Sequence, residues 1–145
     1  MSKKKSHISR LFLDLPLGAE FEAKINSASM LPIFLVGDSV LVKKIKFDQA
    51  KIGDIICFYQ DFEESLIVHR LVDKHWSTSK PSFELVTKGD ASSNVDFNPV
   101  RENNFVGLVV GKASRNSKNR GFRKFLFIIT QRIFLKHQSI RDFFY

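Results

Sequence analysis

The chain lacks the features of disulfide-rich and membrane-spanning proteins. Its single cysteine, Cys57, excludes an internal disulfide framework and any metal site built from several cysteines of one chain. No run of about 18 apolar residues, the length that a transmembrane helix needs, occurs in the sequence. The apolar stretch 11–17 is interrupted by Asp14 and Pro16, which makes it too short for a signal-peptide core. We therefore expect a cytoplasmic or peripherally membrane-associated protein, with Cys57 buried in the core.

The composition is that of one folded domain. Hydrophobic residues make up 43% of the 145 positions, and fifteen of them are Phe, which argues against disorder. A chain of this length can bury one substantial core but not two independent ones.

The positive charge lies at the two ends of the chain. The formal net charge is +8, yet residues 11–111 hold more acidic than basic side chains, whereas residues 1–10 and 112–145 are strongly basic. An acidic body is a poor match for a phosphate backbone, so we do not expect a nucleic-acid partner. Basic ends rich in Phe and Leu suit an anionic membrane surface or an acidic partner better.

The central region has the pattern of short β-strands. Runs of β-branched and aromatic residues, separated by Gly-Asp pairs and polar loops, predict strands over 19–25, 39–45, 55–59, 66–72, 83–87 and 105–110. Residues 74–81 are expected to form a hairpin connection, and 88–99 a long polar loop. The predicted fold is mainly β, a coiled sheet or partial barrel.

The ends of the chain differ from this central region. We divide the sequence into a basic N-terminal arm (1–18), a β domain (19–111), a basic linker (112–121) and an amphipathic helical tail (122–145). Apolar residues at three- and four-residue steps predict the helix of the tail. It would either pack on the body or on a partner chain, or lie on a membrane with its Lys and Arg at the headgroups.

Three polar features stand out beside the apolar strands. Ser29 lies in a turn-forming SASMLP segment (27–32), His69 lies within a strand run, and Asp90 and Asp96 lie in the polar loop. Taken singly, each has an ordinary explanation as a turn residue, a half-exposed strand histidine or a loop cap. Together they have the composition of an acyl-transfer site, with a hydroxyl nucleophile, an imidazole base and a carboxylate that orients it.

Five sequence segments, in order over about residues 20–111, carry a family resemblance. They are SASMLP (27–32) with GDSVLV (37–42), KIGDII (51–56), VHRLV (68–72), TKGD (87–90) and VGLVVG (106–111). The set resembles the signal peptidase I superfamily, and within it the endoplasmic-reticulum and archaeal branch, in which histidine replaces the lysine base of the usual bacterial branch. The implied fold is the coiled sheet or partial barrel of the signal-peptidase and LexA-like type.

The resemblance implies a role for each matching residue. Ser29 would be the nucleophile, His69 the general base, Asp96 the carboxylate that completes the site, and Asp90 a supporting carboxylate. The backbone N–H of Ser29 and the hydroxyl of Ser27 would hold the oxyanion. The implied activity is that of a serine endopeptidase that cleaves leader or signal sequences from a precursor peptide or protein, and we expect neither a metal nor a cofactor.

Two departures from the family pattern bear on this interpretation. The family's Asp-Asp pair is matched here by Val95 and Asp96, so one carboxylate is replaced. Family members normally have a membrane-spanning segment before the serine, and this sequence shows none. The protein would then reach the membrane or a membrane partner through 122–145, or process a soluble peptide.

Two other interpretations stay open from the sequence. The first is a catalytically idle β domain that binds peptides or a membrane. The second is a self-cleaving repressor of the LexA-like type, although its lysine base is replaced by His69 and residues 1–20 are too few for a DNA-binding domain.

Overall fold

The described part of the chain, residues 11–113 of a computed structural model, forms one open six-stranded antiparallel sheet. The strands are β1 (Glu20–Lys24), β2 (Ser39–Lys43), β3 (Ile55–Gln60), β4 (Ser65–Ser77), β5 (Ser82–Lys88) and β6 (Phe105–Lys112). Their spatial order is β1-β2-β6-β3-β4-β5, so β1 and β5 are the edges. The prediction of a mainly β fold is confirmed.

The sheet buries apolar side chains on both faces. Along β3, Cys57 and Tyr59 join one cluster, whereas Ile56 and Phe58 join the other, as the two-residue period of a strand requires. Cys57 is fully buried, as expected. The first cluster consists of Phe12, Phe21, Ala23, Ile25, Met30, Phe34, Val40, Val42, Cys57, Tyr59, Val68 and Val106. The second consists of Ala50, Ile56, Phe58, Leu71, Leu85, Val100 and Phe105.

Strand β4 is longer than the sequence predicts. It pairs with β3 through its first half and with β5 through its second half, with a register shift between Leu71 and Asp73. The expected hairpin connection over 74–81 is therefore wrong for residues 74–77, which are still strand. Trp76 lies opposite Phe83 with an edge-to-face ring contact of 5.2 Å, and such cross-strand aromatic pairs stabilise a hairpin.

Both ends of the described region belong to the folded body. Phe12, in the predicted N-terminal arm, is fully buried with its ring 5.4 Å from that of Phe21. At the other end, β6 continues through Lys112. The helix predicted over 122–145 lies outside the described residues. Within residues 11–113, no helix is long and apolar enough to cross a membrane.

Gly107 offers a test of how closely β6 approaches β2. A Cβ atom at this position would collide with the backbone carbonyl oxygen of Lys43 and would lie 3.1 Å from Cγ1 of Val42. Because backbone cannot move aside cheaply, Gly107→Ala should lower the free energy of unfolding by about 1–3 kcal/mol. Denaturant titration measures this change. Val110→Ala, at an exposed position of the same strand, should cost under about 1 kcal/mol; equal losses in the two variants would contradict the close approach.

Candidate active site

Ser29 lies on a short 3-10 turn, Ala28–Met30, between β1 and β2. The side chain of Met30 is buried in the first cluster and anchors the turn, while Ser29 stays partly exposed. The Leu31 N–H donates to the Ala28 carbonyl at 3.2 Å, and the Phe34 N–H donates to the Met30 carbonyl at 3.0 Å. The turn is thus tied to the core immediately after the serine, which holds its hydroxyl in a fixed place.

His69 projects from β4 between two polar partners. It faces Ile56 across the β3–β4 pair, and its ring meets that of Phe58 edge-to-face, with ring centroids 6.3 Å apart. Its Nε2 lies 3.0 Å from Oγ of Ser29, and its Nδ1 lies 2.6 Å from Oδ2 of Asp96. An ionised carboxylate can only accept, so beside an ionised Asp96 the Nδ1 atom carries the proton, and in a singly protonated ring Nε2 then accepts from the serine hydroxyl.

Asp96 is held by strand β5 as well as by His69. Its backbone N–H donates to the carbonyl of Thr87 at 2.8 Å, and its Oδ2 accepts the Thr87 hydroxyl at 2.6 Å. The structure therefore brings Ser29, His69 and Asp96 into one hydrogen-bonded chain, although His69 is 40 residues from Ser29 and 27 from Asp96.

Asp90 binds the residue next to His69. Its two carboxylate oxygens accept from Nε and Nη2 of Arg70, each at 2.7 Å, and Nη1 of Arg70 donates to the Gly53 carbonyl at 2.8 Å. The guanidinium holds the pKa of Asp90 below its ordinary value, and this hydrogen-bonded pairing raises the pKa of Arg70. The carboxylate that touches the imidazole is thus Asp96, and Asp90 fixes the loop to β4 and, through Arg70, to the turn at Gly53.

The loop after β5 also touches the serine turn directly. The Ala91 N–H donates to the Ser29 carbonyl at 2.9 Å, and a Cβ on Gly89 would lie 2.7 Å from that same carbonyl oxygen. Only a glycine leaves room for this approach. The sequence alone did not predict a role for Gly89 or Arg70. Only their positions inside the TKGD and VHRLV segments pointed to the site.

The predicted oxyanion donors lie beside the serine hydroxyl. Oγ of Ser27 is 3.0 Å from Oγ of Ser29, and Ser27 is exposed. Ser29 lies in the first turn of a 3-10 segment, where amide N–H groups have no acceptor within the helix. A hydroxyl and an amide therefore stand near the atom that would carry out an attack.

Cys57 does not compete as a nucleophile. Complete burial raises the pKa of its thiol to about 12, so the reactive thiolate is not formed near neutral pH. Over residues 11–113, no group of three or more His, Cys, Asp or Glu side chains is arranged to hold a metal ion.

The Arg70–Asp90 pair predicts a pH-dependent contribution to stability. Because the pKa of Asp90 is lowered on folding, the pair stabilises the fold above the ordinary aspartate pKa of about 3.9, and this stabilisation is lost as the pH falls through the lowered value. Asp90→Asn should lower the free energy of unfolding at pH 7 by roughly 1–3 kcal/mol. Urea titrations at pH 7 and at successive acidic pH values measure the gap to wild type, which should shrink below about pH 4.

Asp61→Asn is the matched control for this prediction. Asp61 is exposed in the β3–β4 turn, so its substitution should change stability little at any pH. A gap between Asp90→Asn and wild type that stays constant between neutral and acidic pH would contradict the pairing.

Comparison with known proteins does not assign the chain to a family. No protein-family model matches the sequence, and no curated protein is significantly similar to it. A function must then be inferred from the chemistry of Ser29, His69 and Asp96 and from the residues that hold them.

Proposed function

We propose that this protein is a serine endopeptidase of the signal peptidase type, which cleaves leader or signal sequences from precursor peptides. The observation that carries the proposal is the chain of two hydrogen bonds from Ser29 through His69 to Asp96. Acyl-transfer catalysis uses a nucleophile that is hydrogen-bonded to a base, with the base hydrogen-bonded to a carboxylate. The same arrangement occurs on unrelated folds.

The geometry supports a distinct chemical role for each of the three residues. Oγ of Ser29 attacks the carbonyl carbon of the scissile peptide bond while Nε2 of His69 takes the hydroxyl proton. The imidazolium that forms is stabilised by the Asp96 carboxylate at Nδ1. Nε2 then returns the proton to the leaving amine, an acyl-enzyme remains on Ser29, and water activated by His69 hydrolyses it.

The negative charge on the carbonyl oxygen needs donors near Ser29. The backbone N–H of Ser29 and the hydroxyl of Ser27 are the nearest candidates, since the two serine oxygens are 3.0 Å apart. In the resting site the Ser27 hydroxyl shares a hydrogen bond with the nucleophile, and on attack it would turn to the oxyanion. Such donors typically contribute a factor of about 10²–10³ to the rate.

The segments that carry Ser29 and Asp96 also carry exposed apolar side chains. Ile33, Leu35 and Val36 follow the serine turn with exposed side chains, and Val95 and Phe97 are exposed on either side of Asp96. Apolar side chains at the surface next to reactive groups are a common feature of binding sites. We propose that the substrate peptide contacts these residues, with the tail 122–145 as the contact to a membrane surface or membrane partner.

Four of the segments that resemble signal peptidases meet at this site. The serine segment supplies the nucleophile, VHRLV supplies the base and Arg70, and KIGDII supplies the carbonyl that Arg70 binds. TKGD supplies Asp90 and the glycine that approaches Ser29. Their convergence supports the signal-peptidase type of coiled sheet for the fold of this domain.

Peptide cleavage tests the proposal. The full chain should cleave a precursor peptide that has small residues at the cleavage site, and the products are followed by mass spectrometry. Ser29→Ala and His69→Ala should each lower kcat by about 10³–10⁶, because the nucleophile and the base act as a unit, and Asp96→Asn should cost about 10²–10⁴.

Two matched controls belong to this experiment. Ser93→Ala changes an exposed serine in the Asp96 loop, and His75→Ala changes an exposed histidine of the same strand as His69. Both should keep activity near that of wild type. Cleavage that survives in Ser29→Ala would contradict the proposed nucleophile, and no cleavage of any peptide in a broad panel would favour a peptide-binding or membrane-binding domain instead.

A further inference from the structure

One carboxylate oxygen of the site accepts two hydrogen bonds. Oδ2 of Asp96 lies 2.6 Å from Nδ1 of His69 and 2.6 Å from Oγ1 of Thr87. A hydroxyl has one proton to donate, and here it is directed at the same atom that the imidazole contacts. The orientation of this carboxylate is therefore set from two sides.

Thr87 is a rigid and buried holder for Asp96. It is fully buried within β5, opposite Leu71 of β4. A β-branched side chain in a strand has few accessible χ1 rotamers, so the backbone largely fixes the position of the Thr87 hydroxyl oxygen. The carbonyl of Thr87 also accepts the backbone N–H of Asp96 at 2.8 Å, which gives two contacts between the same two residues across the loop.

We infer that Thr87 is a positioning residue of the site, which fixes the Asp96 carboxylate and through it the tautomer of His69. The inference rests on the proposed function for its catalytic meaning. With the carboxylate held, the neutral imidazole carries its proton on Nδ1 and leaves Nε2 to accept from Ser29. Without the Thr87 hydroxyl, the Asp96 side chain can rotate about its χ angles, and the Nδ1–H tautomer loses its advantage.

The variant that isolates this hydroxyl is Thr87→Val. Valine keeps the branched shape and removes the donor, whereas Thr87→Ser keeps the donor and removes the methyl group. We expect Thr87→Val to lower kcat about 10- to 100-fold with little change in KM, the size of a small misplacement of a catalytic group. Thr87→Ser should restore kcat to within severalfold of wild type, a rescue that a purely packing role would not give.

A second readout does not depend on any activity. The ¹⁵N resonances of the His69 ring, measured on the full chain where the imidazole is neutral and assigned with His69→Gln, report which nitrogen carries the proton. Wild type and Thr87→Ser should show the Nδ1–H tautomer, and Thr87→Val should show a mixture. Thr87→Ala serves in its place if the valine variant does not reach the wild-type unfolding midpoint.

The two readouts separate the inference from the proposed function. A ring spectrum of Thr87→Val identical to that of wild type would overturn the positioning role, even in an active peptidase. A tautomer shift in a protein that cleaves no peptide would support the positioning role while contradicting the proposed function. An unchanged tautomer together with an equal kcat loss in Thr87→Val and Thr87→Ser would assign Thr87 to packing alone and overturn the inference.

Discussion

The hydrogen bonds of one imidazole are the interaction on which the site depends. His69 connects the serine turn at Nε2 with the Asp96 loop at Nδ1, and its ring is only partly exposed. A carboxylate on one nitrogen fixes the proton there and makes the other nitrogen a base. The ring of His69 is held in place by its paired strand and by the contact with Phe58. Ser29 and Asp96 must therefore be positioned next to the ring by other contacts.

The scaffold brings those partners together by holding one loop at several points. Arg70, adjacent to His69 on β4, grips Asp90 with two hydrogen bonds, and the Ala91 N–H binds the Ser29 carbonyl. Further along the loop, Asp96 accepts a hydrogen bond from the hydroxyl of Thr87 in β5. Each contact restrains a different part of the loop, so the loop that carries Asp96 is fixed both to the strand of His69 and to the turn of Ser29. The proposed catalysis would require preorganisation of this kind.

Sequence reasoning predicted the strands and the main site residues better than it predicted their supports. Runs of β-branched and aromatic residues between polar turns located all six strands, but they missed the second half of β4 because residues 74–77 are mostly polar or exposed. Ser29, His69 and Asp96 were candidates because their segments resemble those of signal peptidases, and the fold brings the three side chains into contact. The roles of Thr87, Arg70 and Gly89 were not, because a hydroxyl in a strand, an arginine or a loop glycine shows its partner only when the chain is folded. Whether Asp90 or Asp96 touches the imidazole was likewise decided by the fold.

Covalent labelling tests the central claim, that Ser29 is activated by His69, and it requires no peptide substrate. The full chain is treated with a fluorophosphonate, which reacts with an activated serine, and the modified residue is located by peptide mass spectrometry. The account predicts a single adduct on Ser29, formed at a rate that falls by orders of magnitude in His69→Ala while His75→Ala reacts as wild type does. Absence of an adduct on Ser29, or an adduct that forms equally fast without the imidazole of His69, would contradict it.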